Sequence, residues 1–159
     1  MKKGQIGFSL IELLVVVAII LIIAAIAIPS FLHAKMSANE SSAVSSMHAV
    51  STAEIGYSNT FMNIGFSVAL ADLGTGGLSP CPGTANASCF IDPSLASGTK
   101  SGFVFTYVQN NGSTPSIAYT CNADPQIPHI TGERSFYVDQ NNDITAASPG
   151  PANAGSPPL

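Results

Sequence analysis

The sequence has 159 residues, which leaves room for one small domain beside an extended apolar segment near the N-terminus. Only 9% of the residues are charged and the formal net charge is −4, which argues against a nucleic-acid groove, since such a groove needs clustered lysines and arginines. The Gly-rich stretches lack phosphate-loop spacing, there is no serine-nucleophile elbow, and the carboxylates are scattered. The sequence therefore predicts no catalytic residue, no cofactor and no bound metal.

The first element in the chain is an apolar segment at residues 8–28, interrupted only by Ser9 and Glu12. A helix over these residues is about 30 Å long, roughly the thickness of a bilayer core. One small domain cannot cover a helix that is apolar all round. The segment is therefore predicted to be a membrane anchor, an assembly element, or both.

Glu12 is the one carboxylate in this segment. A charge placed deep in an apolar span is unfavourable by roughly a few kcal/mol, so it needs compensation. If the chain is cut between Gly7 and Phe8, the new α-amino group lies four residues from Glu12. That amine can offset the charge within one chain or between subunits. Alternatively, Glu12 lies among lipid headgroups and has no specific partner.

The N-terminal motif resembles the start of type IV prepilins, and the same signature occurs in type II secretion pseudopilins. It consists of Lys2 and Lys3 followed by G-F-S-L-I-E-L-L at residues 7–14, and it covers about the first fifth of the chain. The resemblance implies that a membrane-bound prepilin peptidase cuts after Gly7 and methylates the new N-terminal Phe8. Proline after the apolar run also matches the family pattern.

Residues 1–7 are thus predicted to be a leader, which Lys2 and Lys3 hold in the cytoplasm. Removing the two lysines takes the side-chain net charge from −4 to −6. The alternative is an ordinary secretory signal cut near residues 24–27, where small residues follow the apolar core. In both cases the rest of the chain lies outside the cytoplasm.

The predicted helix covers residues 8–60 and is broken or kinked near Pro29, because proline removes one intrahelical hydrogen bond and clashes with the preceding turn. Beyond Pro29 the pattern becomes amphipathic, with apolar residues at steps of three, four and seven. These predicted core residues are Ala43, Met47, Val50, Tyr57 and Phe61.

The three cysteines fit an oxidising compartment, but they cannot all pair within one chain. Cys81 and Cys89 bracket a short loop and are the favoured disulfide. Cys121 is then a free thiol, although its pairing with either of the others stays open. A zinc site is not expected, because the histidines have no ligand spacing relative to the cysteines.

The C-terminal half predicts an antiparallel sheet, since segments rich in aromatic and β-branched residues alternate with turn signals. The predicted strands are residues 103–108, 117–121, 135–139 and 143–145. Short helices are predicted at residues 67–73, with Ser67 as N-cap, and at residues 92–96, with Asp92 as N-cap.

The predicted fold class is therefore α+β, with a long N-terminal helix packed on a small four-stranded antiparallel sheet, which is the fold that the pilin resemblance implies. The predicted organisation is a leader at 1–7, a helix at 8–60 whose part 8–28 is the transmembrane or filament core, a head domain at 61–147 and a flexible tail at 148–159.

The resemblance implies a structural subunit of a type IV pilus, not an enzyme, with roles such as adhesion or twitching motility. Segments at residues 52–57, 70–74, 98–103 and 134–139 also resemble major pilins. The implied partners are identical subunits in a helical filament, the inner membrane before assembly, the prepilin peptidase, and an assembly platform with its separate ATPase. The implied location is the inner membrane and then the cell surface.

Three other functions stay open at this stage. One is a major pseudopilin of a type II secretion system, although no acidic calcium loop of that class is evident. Another is a minor, initiating pilin. The third is a monomeric membrane-anchored binding module, for which Glu12 would be replaceable.

Overall fold

The computed structural model describes residues 8–110, 112, 114–148 and 150–159. The predicted leader, with Gly7, and Asn111 of a predicted turn lie outside the described residues. In chain order the elements are helix α1 (Leu10–Thr60), a 3₁₀ turn (Leu70–Leu73), helix α2 (Pro93–Ala96) and strands β1 (Thr99–Lys100), β2 (Phe103–Gln109), β3 (Tyr119–Pro125), β4 (Ser135–Asp139) and β5 (Thr145–Ala147).

The predicted α+β class is confirmed, but the predicted strand number is wrong. The sheet has five antiparallel strands in the order β1-β2-β3-β4-β5. The missed strand, β1, is only two residues long and so shows no alternating pattern. It turns into β2 through Ser101 and Gly102, both at positive φ, as a two-residue hairpin turn requires.

The head core lies between the C-terminal part of α1 and one face of the sheet. Met47, Val50 and Tyr57 are buried as their spacing predicts, whereas Phe61 beyond the helix end is half-buried. From the sheet, the buried side chains are Phe103, Phe105, Tyr119, Cys121, Ala123, Phe136 and Val138. Alternating burial along β2 and β3 shows that each strand directs every second side chain to this core.

β3 is displaced relative to its predicted position at 117–121. It begins at Tyr119 and continues to Pro125, pairing with the whole of β2. Pro125 occupies the last position of the strand, where a missing N–H is tolerated. The β4–β5 hairpin forms, with Ser135 opposite Ala147, but β5 spans Thr145–Ala147 and not the predicted residues 143–145.

The segment before α2 contains less helix than predicted. One 3₁₀ turn forms at Leu70–Leu73, and the N–H of Ala69 bonds to the Asp72 carboxylate at 3.0 Å. Ser67 does not cap this turn, because its N–H and hydroxyl both bond to Glu54 of α1. The cap of α2 is confirmed: Asp92 Oδ1 accepts from the backbone N–H groups of Ser94 and Leu95, each at 3.1 Å.

The C-terminal residues, whose Pro/Gly-rich composition predicts a flexible tail, make contacts with the sheet. Ala152 is buried, and the Leu159 N–H bonds to the Ile144 carbonyl at 3.1 Å. The backbone groups of this segment find partners on the sheet, which composition alone does not reveal.

The chain up to Lys35 and the chain from Met36 onward form two compact units. In the described part of the first unit the chain is almost entirely helical. The second contains the head.

Candidate functional site

The described apolar segment leaves its side chains uncovered. Its large hydrophobic residues from Phe8 to Leu32 are 46% to 81% exposed. Among the described helices, α1 alone is long and apolar enough to cross a membrane, and none of its most apolar window is buried. A signal sequence passes the same length and composition criteria. The described segment therefore presents an apolar surface that needs cover.

The first turn of α1 positions Glu12. Glu12 is the third residue of the helix, and its Oε2 accepts a hydrogen bond from the backbone N–H of Ser9 at 3.0 Å. This bond is half of a capping box, in which a glutamate three residues after the N-cap reaches back to the N-cap N–H. The S-x-x-E spacing at residues 9–12 is the sequence signature of this contact, which was not predicted.

Phe8 and Glu12 share a shallow apolar depression on the helix surface. Together with Ile11, Val15 and Val16 they line a volume of about 400 Å³. Phe8 is itself 81% exposed. The structure therefore places Phe8, the predicted new N-terminal residue, and Glu12, the carboxylate whose charge its amine can offset, on one apolar surface. Cleavage, methylation and pairing at these residues stay predictions.

Helix α1 continues through Pro29 without interruption in its assigned secondary structure. The predicted break is therefore absent from the described helix. A kink at this position, expected because proline lacks an N–H and crowds the preceding turn, stays a prediction.

A disulfide joins Cys81 and Cys89, the pair that the sequence favours, and Cys121 is a buried free thiol. Burial raises the pKa of the Cys121 thiol to about 12, so the thiol is protonated at neutral pH. The disulfide loop contacts α1, because the Tyr57 hydroxyl donates to the Ala85 carbonyl at 2.9 Å.

Two buried carboxylates of α1 bind the head to the helix, and their contacts were not predicted. Glu40 accepts bonds from the backbone N–H groups of Glu133 (2.8 Å) and Arg134 (3.1 Å) and from Arg134 Nε (2.8 Å). Glu54 accepts from Ser67 N at 3.0 Å and from the Ser67 hydroxyl at 2.5 Å. The bonded residues lie up to 94 positions apart in the sequence, so no local pattern could predict these contacts.

Other polar residues are dispersed over the head. Lys100 pairs with Asp92 at 2.8 Å and Arg134 pairs with Glu40, while His48 is exposed. Within the described ranges, no group of three or more His, Cys, Asp or Glu side chains could hold a metal ion.

One protein-family model matches the chain, the prokaryotic N-terminal methylation motif, at residues 2–28. The chain has no significant match among curated proteins, and none among solved structures. The motif match supports a type IV pilin-like prepilin family, as the resemblance of residues 7–14 predicts. It supports a pilin-like or pseudopilin precursor that is structural rather than catalytic. It also implies processing by a prepilin peptidase and assembly into pili, and with the apolar helix it fits a membrane-anchored precursor.

Proposed function

We propose that this chain is the structural subunit of a type IV pilus. The precursor is cut between Gly7 and Phe8, and Phe8 is methylated at its new amino group. The apolar segment at residues 8–28 waits in the inner membrane and then packs beside identical segments in the filament core. The head lies on the outside of the fibre, on the cell surface.

The observation that carries this proposal is the uncovered apolar surface of the described N-terminal helix. In the membrane, lipid chains cover it. In a fibre, equivalent segments of neighbouring subunits cover it, so assembly exchanges one apolar environment for another and exposes little apolar surface to water. Energy for extraction comes from the separate cytoplasmic ATPase of the assembly platform.

Glu12 supplies the register between subunits. Its Oε2 is bonded to Ser9 N–H, and in the described part of the chain no hydrogen-bond partner is observed for Oε1. The α-amino group of Phe8 in the next subunit can form a charge-assisted bond there. A subunit packed in the wrong register leaves the carboxylate unpaired in an apolar core, which is unfavourable.

The pseudopilin of a secretion machine uses the same N-terminal chemistry. We favour the pilus because the distal segments at residues 52–57 and 134–139 resemble major pilins. Electron microscopy of sheared surface material separates the two functions, since a pilus yields long surface fibres and a pseudopilin yields short periplasmic ones.

The main test replaces Glu12. Glu12→Ala leaves the chain cleaved and membrane-bound but abolishes filaments or disturbs their register, because the amine of the neighbour loses its partner. Glu12→Gln is the matched control, since it keeps an acceptor for Ser9 N–H and removes only the charge. If the charge of Glu12 sets the register, neither Glu12→Ala nor Glu12→Gln forms normal filaments. Filaments of normal yield and register from Glu12→Ala would refute the pairing.

A second test concerns cleavage. Gly7→Ser is expected to leave an uncut precursor in the membrane, because the peptidase recognises the Gly–Phe junction. Mass spectrometry of the N-terminus measures the result. A variant whose N-terminus still begins at Phe8 would contradict the assigned junction.

A further inference from the structure

The C-terminal residues 152–159, here called the C-terminal strap, lie along the outer edge of β5. β5 is the last strand of the sheet, and its other side pairs with β4. The Ala146 N–H donates to the Pro157 carbonyl at 2.9 Å, and the Leu159 N–H donates to the Ile144 carbonyl at 3.1 Å. The strap therefore occupies backbone groups that the last strand would otherwise leave free for another strand.

A second attachment holds the beginning of the strap. The Asn122 side-chain amide donates to the Ala152 carbonyl at 2.8 Å, and the Thr145 hydroxyl donates to the Asn153 carbonyl at 2.9 Å. The Ala152 side chain is only 2% exposed. A turn between Asn153 and Ser156, closed by the Ser156 N–H to the Asn153 carbonyl at 2.9 Å, then returns the chain to the β5 edge.

Proline prevents the strap from becoming a new free edge. Thr145 and Pro158 form the bridge, with the hydrogen bonds made by the residues on either side. In an antiparallel ladder, neighbouring residues direct their backbone groups to opposite sides. The backbone of Pro158 thus faces away from β5, and proline has no N–H to offer there.

At the opposite end of the sheet, β1 pairs with Phe103 and Val104 of β2. β1 contains only Thr99 and Lys100, and the Lys100 ammonium lies 2.8 Å from the Asp92 carboxylate. Short edge strands with a lysine are poor templates for strand pairing. The β5 edge, where Ala146 and Ala147 are small and uncharged, relies on the strap instead.

We propose that the C-terminal strap prevents the β5 edge from pairing with the β5 edge of a second copy of this chain. Two β5 edges can meet antiparallel, because each offers the Ala146 N–H and the Ile144 carbonyl once the strap is removed. The identity of the partner follows from local concentration: if the chain forms filaments, as proposed above, many identical heads lie close together. The strap itself does not depend on that function, and its test uses unassembled protein.

The test compares the full chain with a chain that ends at Asn153, both purified in detergent micelles. The shortened chain keeps the Ala152 and Asn153 attachments but lacks the part of the strap that covers β5. Sedimentation at increasing protein concentration is expected to show self-association at least about tenfold tighter than that of the full chain. Hydrogen exchange is expected to show protection of the Ala146 amide in the full chain and loss of that protection in dilute shortened chain.

Ala146→Pro in the shortened chain is the matched control. It removes the outward N–H without touching the bonds to β4, so it is expected to restore the association behaviour of the full chain. A shortened chain that associates no more tightly than the full chain overturns the proposal, as does association that Ala146→Pro leaves unchanged. Loss of the sheet signal in circular dichroism overturns it too, since the strap would then be required for the fold itself.

Discussion

At the residue scale, the pKa values of the two buried carboxylates of α1 are shifted in opposite directions. Glu54 is completely buried, and burial raises its pKa more than the two bonds from Ser67 lower it. Burial also raises the pKa of Glu40, but the bonds from the Glu133 N–H and from Arg134 outweigh it and hold that pKa below its ordinary value. Glu40 has the backbone N–H of Glu133 and the Arg134 side chain beside it, whereas the groups that act on the more deeply buried Glu54 are Ser67, Tyr107 and Asp72.

The pH dependence of stability should reveal the state of Glu54. Because its pKa is raised in the folded state, its contribution to stability is full below the ordinary value of 4.5 and is lost as the pH rises through the folded value. Glu54→Gln does not titrate. The unfolding free energy of the wild type minus that of Glu54→Gln should therefore fall in urea titrations as the pH rises above 4.5.

Asp143→Asn serves as the control, because Asp143 is an exposed carboxylate of the same head. A pH profile that both variants share would reflect the removal of a carboxylate in general and not a property of Glu54. If the unfolding free energy of the wild type minus that of Glu54→Gln instead grows with pH, the folded protein stabilises the ionised carboxylate.

The Glu40 contacts predict that Glu40→Ala lowers the unfolding free energy more than Arg134→Ala does. Glu40→Ala leaves two backbone N–H groups and one guanidinium without their acceptor, which should lower the unfolding free energy by about 2–3 kcal/mol. Arg134→Ala removes a side chain that is 47% exposed and lies over the Phe136 ring, which should cost about 1 kcal/mol. Glu133→Ala, which removes an exposed carboxylate nearby, is the control. Equal losses for the first two variants in chemical denaturation would contradict this account.

At the element scale, the disulfide loop should stabilise the head through both its closure and its contact with α1. Replacing Cys81 and Cys89 by serine releases a loop with a sequence separation of 8 residues, which should lower the unfolding free energy by on the order of 2–3 kcal/mol. Tyr57→Phe removes only the bond to Ala85 and should cost about 1 kcal/mol. Denaturation of the wild type under reducing conditions should match that of the double serine variant; a reduced wild type as stable as the oxidised protein would contradict the expected role of the bridge.

Local sequence patterns predicted those elements that depend on residues close together in the sequence. The apolar run and the later amphipathic spacing predicted α1, and Met47 and Tyr57 are buried as expected. Strand β1 has only two residues, so it shows no alternating pattern. The prediction of Ser67 as a local N-cap was wrong because its partner, Glu54, lies 13 residues away. The Glu40 contacts depend on chain segments that meet only after folding, so no spacing rule could show them.

At the scale of the whole molecule, the hydrophobic core contains no described residue before Met36. The head thus has its own helix, sheet, disulfide and buried carboxylates within one compact unit that begins at Met36. The preceding apolar segment contributes no buried side chain to that unit's core. We infer that the unit that begins at Met36 folds separately from the preceding apolar segment.

This separation predicts that a chain of residues 36–159 folds in water without detergent. It should show a cooperative thermal transition and the same Tyr57 and Glu54 contacts, because every partner of those side chains lies within the unit. A chain of residues 41–159 is the matched control, since it lacks Glu40 and also Asn39, whose amide donates to the Thr131 carbonyl at 3.0 Å. The shorter chain should be less stable by at least about 2 kcal/mol, because the segment around Thr131 and Arg134 loses its attachment to α1. If residues 36–159 fold only when the apolar segment is present, the anchor is part of the folding unit and the inferred separation is wrong.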